Sequence, residues 1–497
     1  LLDLNLDLNL NLWFIMKNTG AYLRKKYGRW GWMGQRTHDA DGINRVLPLD
    51  FVISCDHGAE IPYFFREEDV FSVEKEGKIR RDWSNEDLKT SLNGSIGRRV
   101  FDRFNSYSEG INLLCYRSVR KLERPGGKLQ RVPRIYAMPE KLKRHFDNKL
   151  LLRRNLAALS LPQIPGFIER PGRITFDRLR KELSLPFVVQ FPYGSSGSST
   201  FIIRREKGYD ALVRSHPEDQ AVMSRYIDGF SLNMNAVTVS RGSGVKVFAS
   251  VPSVQITGIP ECSNFESTFC GNDYAAAKWV DKGIVKDVQS QIKVVGEWMA
   301  EKGFRGVFGM DFMVTGGKVY PVEINPRFQN STSLYTVLST IAKSCRWTPF
   351  MLHIAEFLQA EDEVMRKYAS GFPEDGLMCP VKGSQVILHN KMKRRRVTGE
   401  LEPGIYRSDG GELSFVRHAA SLADCESERD ILITCGVPGK GTVVEPNAPV
   451  CKVQLLKNII DPSNLQYLTA EGREIVKDVY RKLNLKTVRK TEMAGAA

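Results

Sequence analysis

Two alternating runs constrain this fold most: GVFGMDFMV at residues 306–314 and VYPVEIN at 319–325, joined by Thr315-Gly316-Gly317-Lys318. Successive side chains of a strand point to opposite faces, so each run presents two sets. Phe308, Met310, Phe312 and Val314 form one apolar set, with Gly309, Asp311 and Met313 opposite. Tyr320, Val322 and Ile324 form the other, with Pro321, Glu323 and Asn325 opposite. Glycine turn chemistry between the runs predicts a β-hairpin.

Cross-strand partners share a face, so the apolar sets must coincide to be buried together. A two-residue Gly316-Gly317 loop would pair Phe312 with Pro321 and mix the faces. The expected loop is therefore Thr315 to Gly317, pairing Phe312 with Tyr320, Met310 with Val322 and Phe308 with Ile324. Asp311 then lies opposite Pro321 and diagonal to Glu323. Asp311, Glu323 and Asn325 converge on one face as an oxygen-only donor set, which suits a hard cation, Mg²⁺ or Mn²⁺. The competing reading is an ordinary charged, solvated hairpin face.

A chain of 497 residues can bury several cores and make about two to four domains. Hydrophobic and charged contents of 42% and 26% are those of a globular protein, and no apolar run has the length of a membrane span. Residues 1–17 alternate Leu with Asp and Asn, do not resemble a secretory signal, and read as a tail or edge strand with Met16 a candidate start. Nine scattered cysteines without a C-x-x-C pair argue against a disulfide framework or a zinc site and point to a reducing cytoplasm. A net charge of +15 favours anionic substrates or polyanions. Its densest run, KMKRRR at 391–396, lacks interleaved aromatics and reads as a solvated loop, so no nucleic-acid partner is expected.

Residues 18–145 alternate apolar strands such as FVISC and GINLLCY with helical segments, an α/β pattern. Helical signals follow at 146–159, with Asp147 as the expected cap. PFVVQFPYGSSGSSTFIIR, residues 186–204, reads as strand, Gly/Ser turn and strand. VQSQIKVVGEWMAEKG, residues 288–303, keeps helical spacing and stops at Gly303. Short strands dominate from 383 to 455, and a helix at 469–484 follows. In the Gly/Ser turn, small residues let backbone amides approach a phosphate, although a plain hairpin tip has the same composition.

FDNK, the Gly/Ser loop, SRYIDG, GVFGMDF and EINPRFQNS occur in that order over about 146–335, and in order and spacing they resemble the ATP-grasp fold. The resemblance implies an α/β (α+β) architecture with a pre-ATP-grasp domain at 18–145. The ATP-grasp domain would span 146–370, its lid at about 160–226, and a β-rich domain similar to the biotin carboxylase C-terminal domain would span 371–497. It implies that Lys149 and Gln190 contact nucleotide, and that backbone amides of Gly194, Ser195, Ser196, Gly197, Ser198 and Ser199 cover the phosphates. Tyr226 and Ile227 would bind adenine; Asp311, Glu323 and Asn325 would hold Mg²⁺. Arg327 would hold the transferred phosphate or an acyl phosphate.

The implied activity is ATP-dependent ligation: a carboxylate, of an amino acid or peptide, is activated as acyl phosphate and joined to an amine. Two departures stand out. Gln190 occupies the place of a second nucleotide-binding lysine, with Arg204 and Arg205 the nearby cations, and Ser231 replaces a ribose-binding acid. They keep open a nucleotide-binding sensor or scaffold. A biotin-dependent carboxylase is disfavoured because Ser331 and Thr332 replace the Glu-His pair of that family and no A-M-K-M motif is present. Residues 252–273, with Gln255 and Asn272, are candidates for the acceptor pocket, and a homodimer is compatible with the C-terminal domain.

Overall fold

The computed structural model describes residues 19–488 except 78, 119–131, 195–196, 343–344, 346 and 410–411. The expectations for residues 1–17, Ser195 and Ser196 lie outside the described residues.

A parallel sheet comes first, built from β1 (Arg29–Met33), β2 (Phe51–Ser54) and β3 (Val70–Ser72), then, after β4 (Ile79–Arg80) which lies elsewhere, β5 (Ile111–Cys115) and β6 (Arg134–Tyr136). Its order is β3-β2-β1-β5-β6 with every pairing parallel. Strands β2 and β5 are buried along their whole length and β1 between them from Trp30 onward, as expected of a sheet covered on both faces. The helix Ser95–Ser106 covers one face because Ile96, Val100, Phe101 and Phe104 recur at helical spacing and meet Phe51, Ile53 and Leu113. Successive strands move outward to one side from β1 and to the other side from β5, so the order reverses between these two.

The second sheet, β7 (Gly166–Glu169), β8 (Phe187–Gln190), β9 (Thr200–Ile203) and β10 (Ala221–Arg225), is antiparallel in the order β7-β10-β8-β9. It has a small core of its own around Phe187, Val189 and Met223, with helices Phe176–Leu183 and Glu206–Ser215 packed on it.

The largest sheet has eleven strands. Its first part is β11 (Phe230–Arg241), β12 (Gly244–Ala249), β13 (Ser253–Thr257), β14 (Phe269–Asp273), β15 (Gly306–Thr315) and β16 (Lys318–Asn325). After β17 (Ser384–His389) and β18 (Arg395–Val397) come β19 (Gly404–Asp409), β20 (Glu412–Arg417) and β21 (Ile431–Thr434). The chain's last strands are β22 (Val443–Val444), β23 (Pro449–Leu455) and β24 (Leu485–Thr487); β23 joins the large sheet, whereas β18, β22 and β24 lie outside it. The order β16-β15-β11-β13-β14-β17-β23-β21-β19-β20, with β12 on β11, runs without a break across residue 370. Helix Lys282–Glu301 covers this sheet through Val288, Ile292, Val295 and Met299, and starts where Asp281 accepts from the amides of Gly283 and Ile284. A fourth sheet, β24-β18-β22-β4, ties β4 to the C-terminal part.

Three expectations are corrected. The hairpin has the two-residue Gly316-Gly317 loop, with Thr315 opposite Lys318 and Phe312 opposite Pro321. A β-bulge follows: Val322 is the extra residue, after which Asp311 faces Glu323 directly and Met310 faces Ile324. Val319, Pro321, Ile324 and Asn325 are the buried residues of β16, and Val322 turns toward the cleft with Glu323. Pro321 is tolerated because β16 is an edge strand with a bulge, where a missing N–H costs little. Next, Asn148 rather than Asp147 caps helix Lys149–Asn155, accepting from Leu150 and Leu151, while Asp147 ends the preceding helix and pairs with Lys143. Finally, Cys345 and Cys379 are joined in a disulfide, with Cα atoms 5.6 Å apart, and the other seven cysteines are free and buried.

Candidate active site

The hairpin face opposite the core opens into a cavity of about 520 Å³, bounded by the large sheet, the four-stranded lid and the loops after β1 and β5. Asp311 and Glu323 stand side by side across β15 and β16 as a consequence of the bulge. Asp311 accepts from Asn233 Nδ2 at 2.7 Å and from Asn325 Nδ2 at 3.2 Å. Burial, together with the Glu323 carboxylate, pushes Asp311 up to about 6. Lys149 Nζ lies 3.0 Å from Glu323 Oε1 and brings positive charge to the pair.

The donors here fit a hard divalent cation: two carboxylates and a carboxamide on one strand pair, with Asn233 Oδ1 buried beside them and lacking a partner. Among the described residues no cluster of three His, Cys, Asp or Glu exists that could hold a metal alone. Further oxygens would come from substrate phosphates, the usual arrangement for Mg²⁺.

Arg327 follows the hairpin and is fixed from several sides. Its Nη2 donates to Asn325 Oδ1 at 2.8 Å and its Nη1 to the Phe328 carbonyl at 3.0 Å and the Tyr116 hydroxyl at 3.3 Å. Gln329 then caps helix Asn330–Ile341 in a reciprocal capping box with Thr332. Gly309 makes room for it: a Cβ there would sit 1.7 Å from Gln329 Oε1. Ser331 and Thr332 donate to Asn235 Oδ1 at 3.3 and 2.7 Å and are buried, so the start of this helix presents no titratable base.

At the other end of the cavity lie Gln190, Gly197, Tyr226 and Ile227. Gln190 Nε2 donates to Thr200 Oγ1 at 3.2 Å. Gly194 packs on Ser199, and Gly197, at φ +84°, accepts from Ser267 Oγ at 3.1 Å. Arg204 also lines the cavity, lies 5.8 Å from the Tyr226 ring centre and pairs with Glu266 at 2.8 Å, whereas Arg205 starts the helix Glu206–Ser215. Ser198 makes contacts within the protein. The structure thus brings the hairpin residues, Arg327, Gln190, Gly197, Tyr226 and Ile227 to one cleft, with Lys149 at its acidic end.

Gln255 and Asn272 line the cavity. They begin a row of amides on four neighbouring strands, Gln255, Asn272, Gln385 and Gln454. Sequence reasoning missed Asn233, Arg36, Tyr116 and Arg117. The last three follow β1 and β5 by one to three residues, and that position was the available signal.

A small sheet clamps over a large antiparallel sheet, with an acid pair and an arginine at the junction. Residues 146–331 match the ATP-grasp domain family, so the chain carries an ATP-grasp domain. Two solved structures share the wider fold. N5-carboxyaminoimidazole synthase from Aspergillus clavatus superposes with a TM-score of 0.50 at 14% identity, over 91% of this chain and 98% of that one. Pyruvate carboxylase of Rhizobium etli gives 0.51 at 12% identity, over 86% of this chain and 36% of that one. Curated relatives are partial. The arginine-specific carbamoyl phosphate synthase large chain of Geobacillus stearothermophilus is 22% identical over 175 residues, 35% of this chain and 15% of its own length. The [butirosin acyl-carrier protein]–L-glutamate ligase of Niallia circulans is 25% identical over 148 residues, 29% of this chain and 33% of its own.

Proposed function

We propose that the protein is an ATP-dependent ligase that activates a carboxylate and joins it to an amine, with release of ADP and phosphate. The observation that carries this reading is the direct opposition of Asp311 and Glu323 beside Asn325 and Arg327 in a cavity closed by a glycine-bearing lid. A carboxylate is a poor electrophile; transfer of the γ-phosphoryl to its oxygen gives an acyl phosphate and ADP. An amine nitrogen then attacks the acyl carbon, the C–O bond breaks with phosphate as the leaving group, and the nitrogen loses a proton as the amide forms.

The residues divide this work. Tyr226 and Ile227 line the adenine end, Gly197 and its neighbours cover the phosphates, and Arg204 adds charge where Gln190 brings none. Lys149 and Arg327 offset negative charge as the phosphoryl moves, and positioning with such fixed charges supplies most of the acceleration. Asp311, Glu323 and Asn325 would hold Mg²⁺ or Mn²⁺, which spreads the phosphoryl charge when bound. An amino acid as the carboxylate substrate is supported by the partial relative that acts on L-glutamate. The buried Ser331 and Thr332 weigh against carboxylase chemistry, which needs a base at that helix start.

The test is ADP release with Mg²⁺ and ATP across amino acids, alone and in pairs, with hydroxylamine to trap acyl phosphate as hydroxamate. Hydroxamate that depends on both ATP and a carboxylate supports the ligase. Tight nucleotide binding without turnover across the panel supports the sensor instead.

A further inference from the structure

The inner end of the cavity carries more positive charge than phosphoryl transfer to one carboxylate requires. Arg36 and Arg117 line it together with Arg327. Arg36 lies just past the C-terminal end of β1 and Arg117 just past that of β5. These strands are parallel neighbours, paired from Arg29 with Ile111 to Met33 with Cys115, and the strand order reverses between them. In open parallel sheets, ligands bind at this reversal, outside the carboxyl ends of the strands.

The guanidiniums are held without direct ion pairs: carboxylates at longer range, Asp39 and Asp82 for Arg36 and Asp147, Glu323 and Asp311 for Arg327, favour their charge, whereas Arg117 is the one left short. Arg36 Nη1 donates to Asn330 Oδ1 at 3.1 Å, and Arg327 is bonded as described above. Among the described residues none of the three arginines is ion-paired with a carboxylate; Asp82, which feels both Arg36 and Arg117, lies beyond that range. The Nε atoms of Arg117 and Arg327 are buried without a hydrogen-bond partner. Burial and the nearby Arg327 push Arg117 down to about 10, the mark of a cation short of counter-charge. Lys452 approaches the same Asn330 Oδ1, at 3.1 Å, and its own partner is Asp39 at 3.4 Å. Leaving buried donors and like charges facing one another is costly unless a ligand completes them.

Building on the ligase reading, we propose that the activated substrate is a dianion: one carboxylate is phosphorylated beside Arg327, and a second anionic group is held by Arg36 and Arg117 at the ends of β1 and β5. A planar carboxylate or a phosphate ester would satisfy the paired guanidiniums equally in kind.

The test is calorimetric titration of the full chain with Mg²⁺ and ADP present, using L-aspartate, L-glutamate and O-phospho-L-serine. Each is compared with its uncharged counterpart, L-asparagine, L-glutamine or L-serine. At least one charged probe should bind about tenfold or more tighter than its counterpart, and the carboxylate and phosphate arms tell which anion fits. In Arg36→Gln and Arg117→Gln that ratio should fall toward one, while Arg117→Lys should keep part of it. Equal binding of charged and uncharged members, no saturable binding by any probe, or an effect of Arg117→Gln confined to nucleotide affinity overturns the proposal. Hydroxamate formed as readily from a monoanion would sink the dianion alone. Absence of hydroxamate from every probe, with the binding contrast intact, would sink only the ligase.

Discussion

Glu323 has two neighbours that decide its role, Asp311 across the strand pair and Lys149 at 3.0 Å. Among the described residues no third His, Cys, Asp or Glu joins the pair as a metal-holding group. Glu323→Ala is expected to lower kcat on the order of 100-fold or more, with near-wild-type folding by circular dichroism. Unchanged turnover would remove the acid pair from the chemistry. Asp311, Glu323 and Asn325 were legible from residue type and alternation, whereas the role expected of Arg327 came from the ATP-grasp resemblance. The pairing of the two acids was not legible, because a bulge breaks the period of two that a regular ladder keeps.

At the scale of elements, the lid is held down by two contacts from its glycine-bearing edge, the bond from Ser267 Oγ to Gly197 and the Arg204–Glu266 pair. Gly197 sits at φ +84° and a Cβ would approach the Ser267 carbonyl to 1.9 Å. Gly197→Ala should therefore push the loop away from the cleft and raise the KM for ATP roughly tenfold, equivalent to ~1.4 kcal/mol. Steady-state kinetics at varied ATP would read this, and an unchanged KM would separate the loop from nucleotide binding. Local signals located this strand-turn-strand unit well. Its partner, the 258–268 loop, is distant in sequence and no local pattern pointed to the contact.

Over the whole molecule, distant segments interlock through buried polar groups. Arg80 reaches from the N-terminal part to the carbonyls of Gly436 and Pro449 while paired with Glu74 at 2.7 Å, both side chains almost fully buried. Arg80→Met would remove the cation that Glu74, Asp56 and Glu60 share, at a cost of about 3–5 kcal/mol by urea denaturation. His353 bridges two sheets: its Nδ1 accepts from the Val307 amide at 3.0 Å, and Nε2 faces the Tyr136 carbonyl at 3.2 Å. Burial lowers it from 6.5 to about 4. The unfolded chain thus binds a proton between these values that the native state refuses, so stability is full above 6.5 and falls as pH drops toward 4. His353→Gln should flatten the change in urea midpoint between about pH 7.5 and pH 5; an unaltered slope would assign it to other groups.

Periodicity and turn residues by themselves determined the hairpin, the glycine loop, the main helices and the identity of the acid pair, because these depend on neighbours in sequence. Tertiary structure alone decided that Arg36 and Arg117 face Arg327, that Asn233 supports Asp311, and that one antiparallel sheet runs on across residue 370. The physical reason is the same in each case. Local patterns report which face of an element is buried, whereas the partner across the cleft is set by how whole sheets stack, and that requires packing between residues hundreds of positions apart.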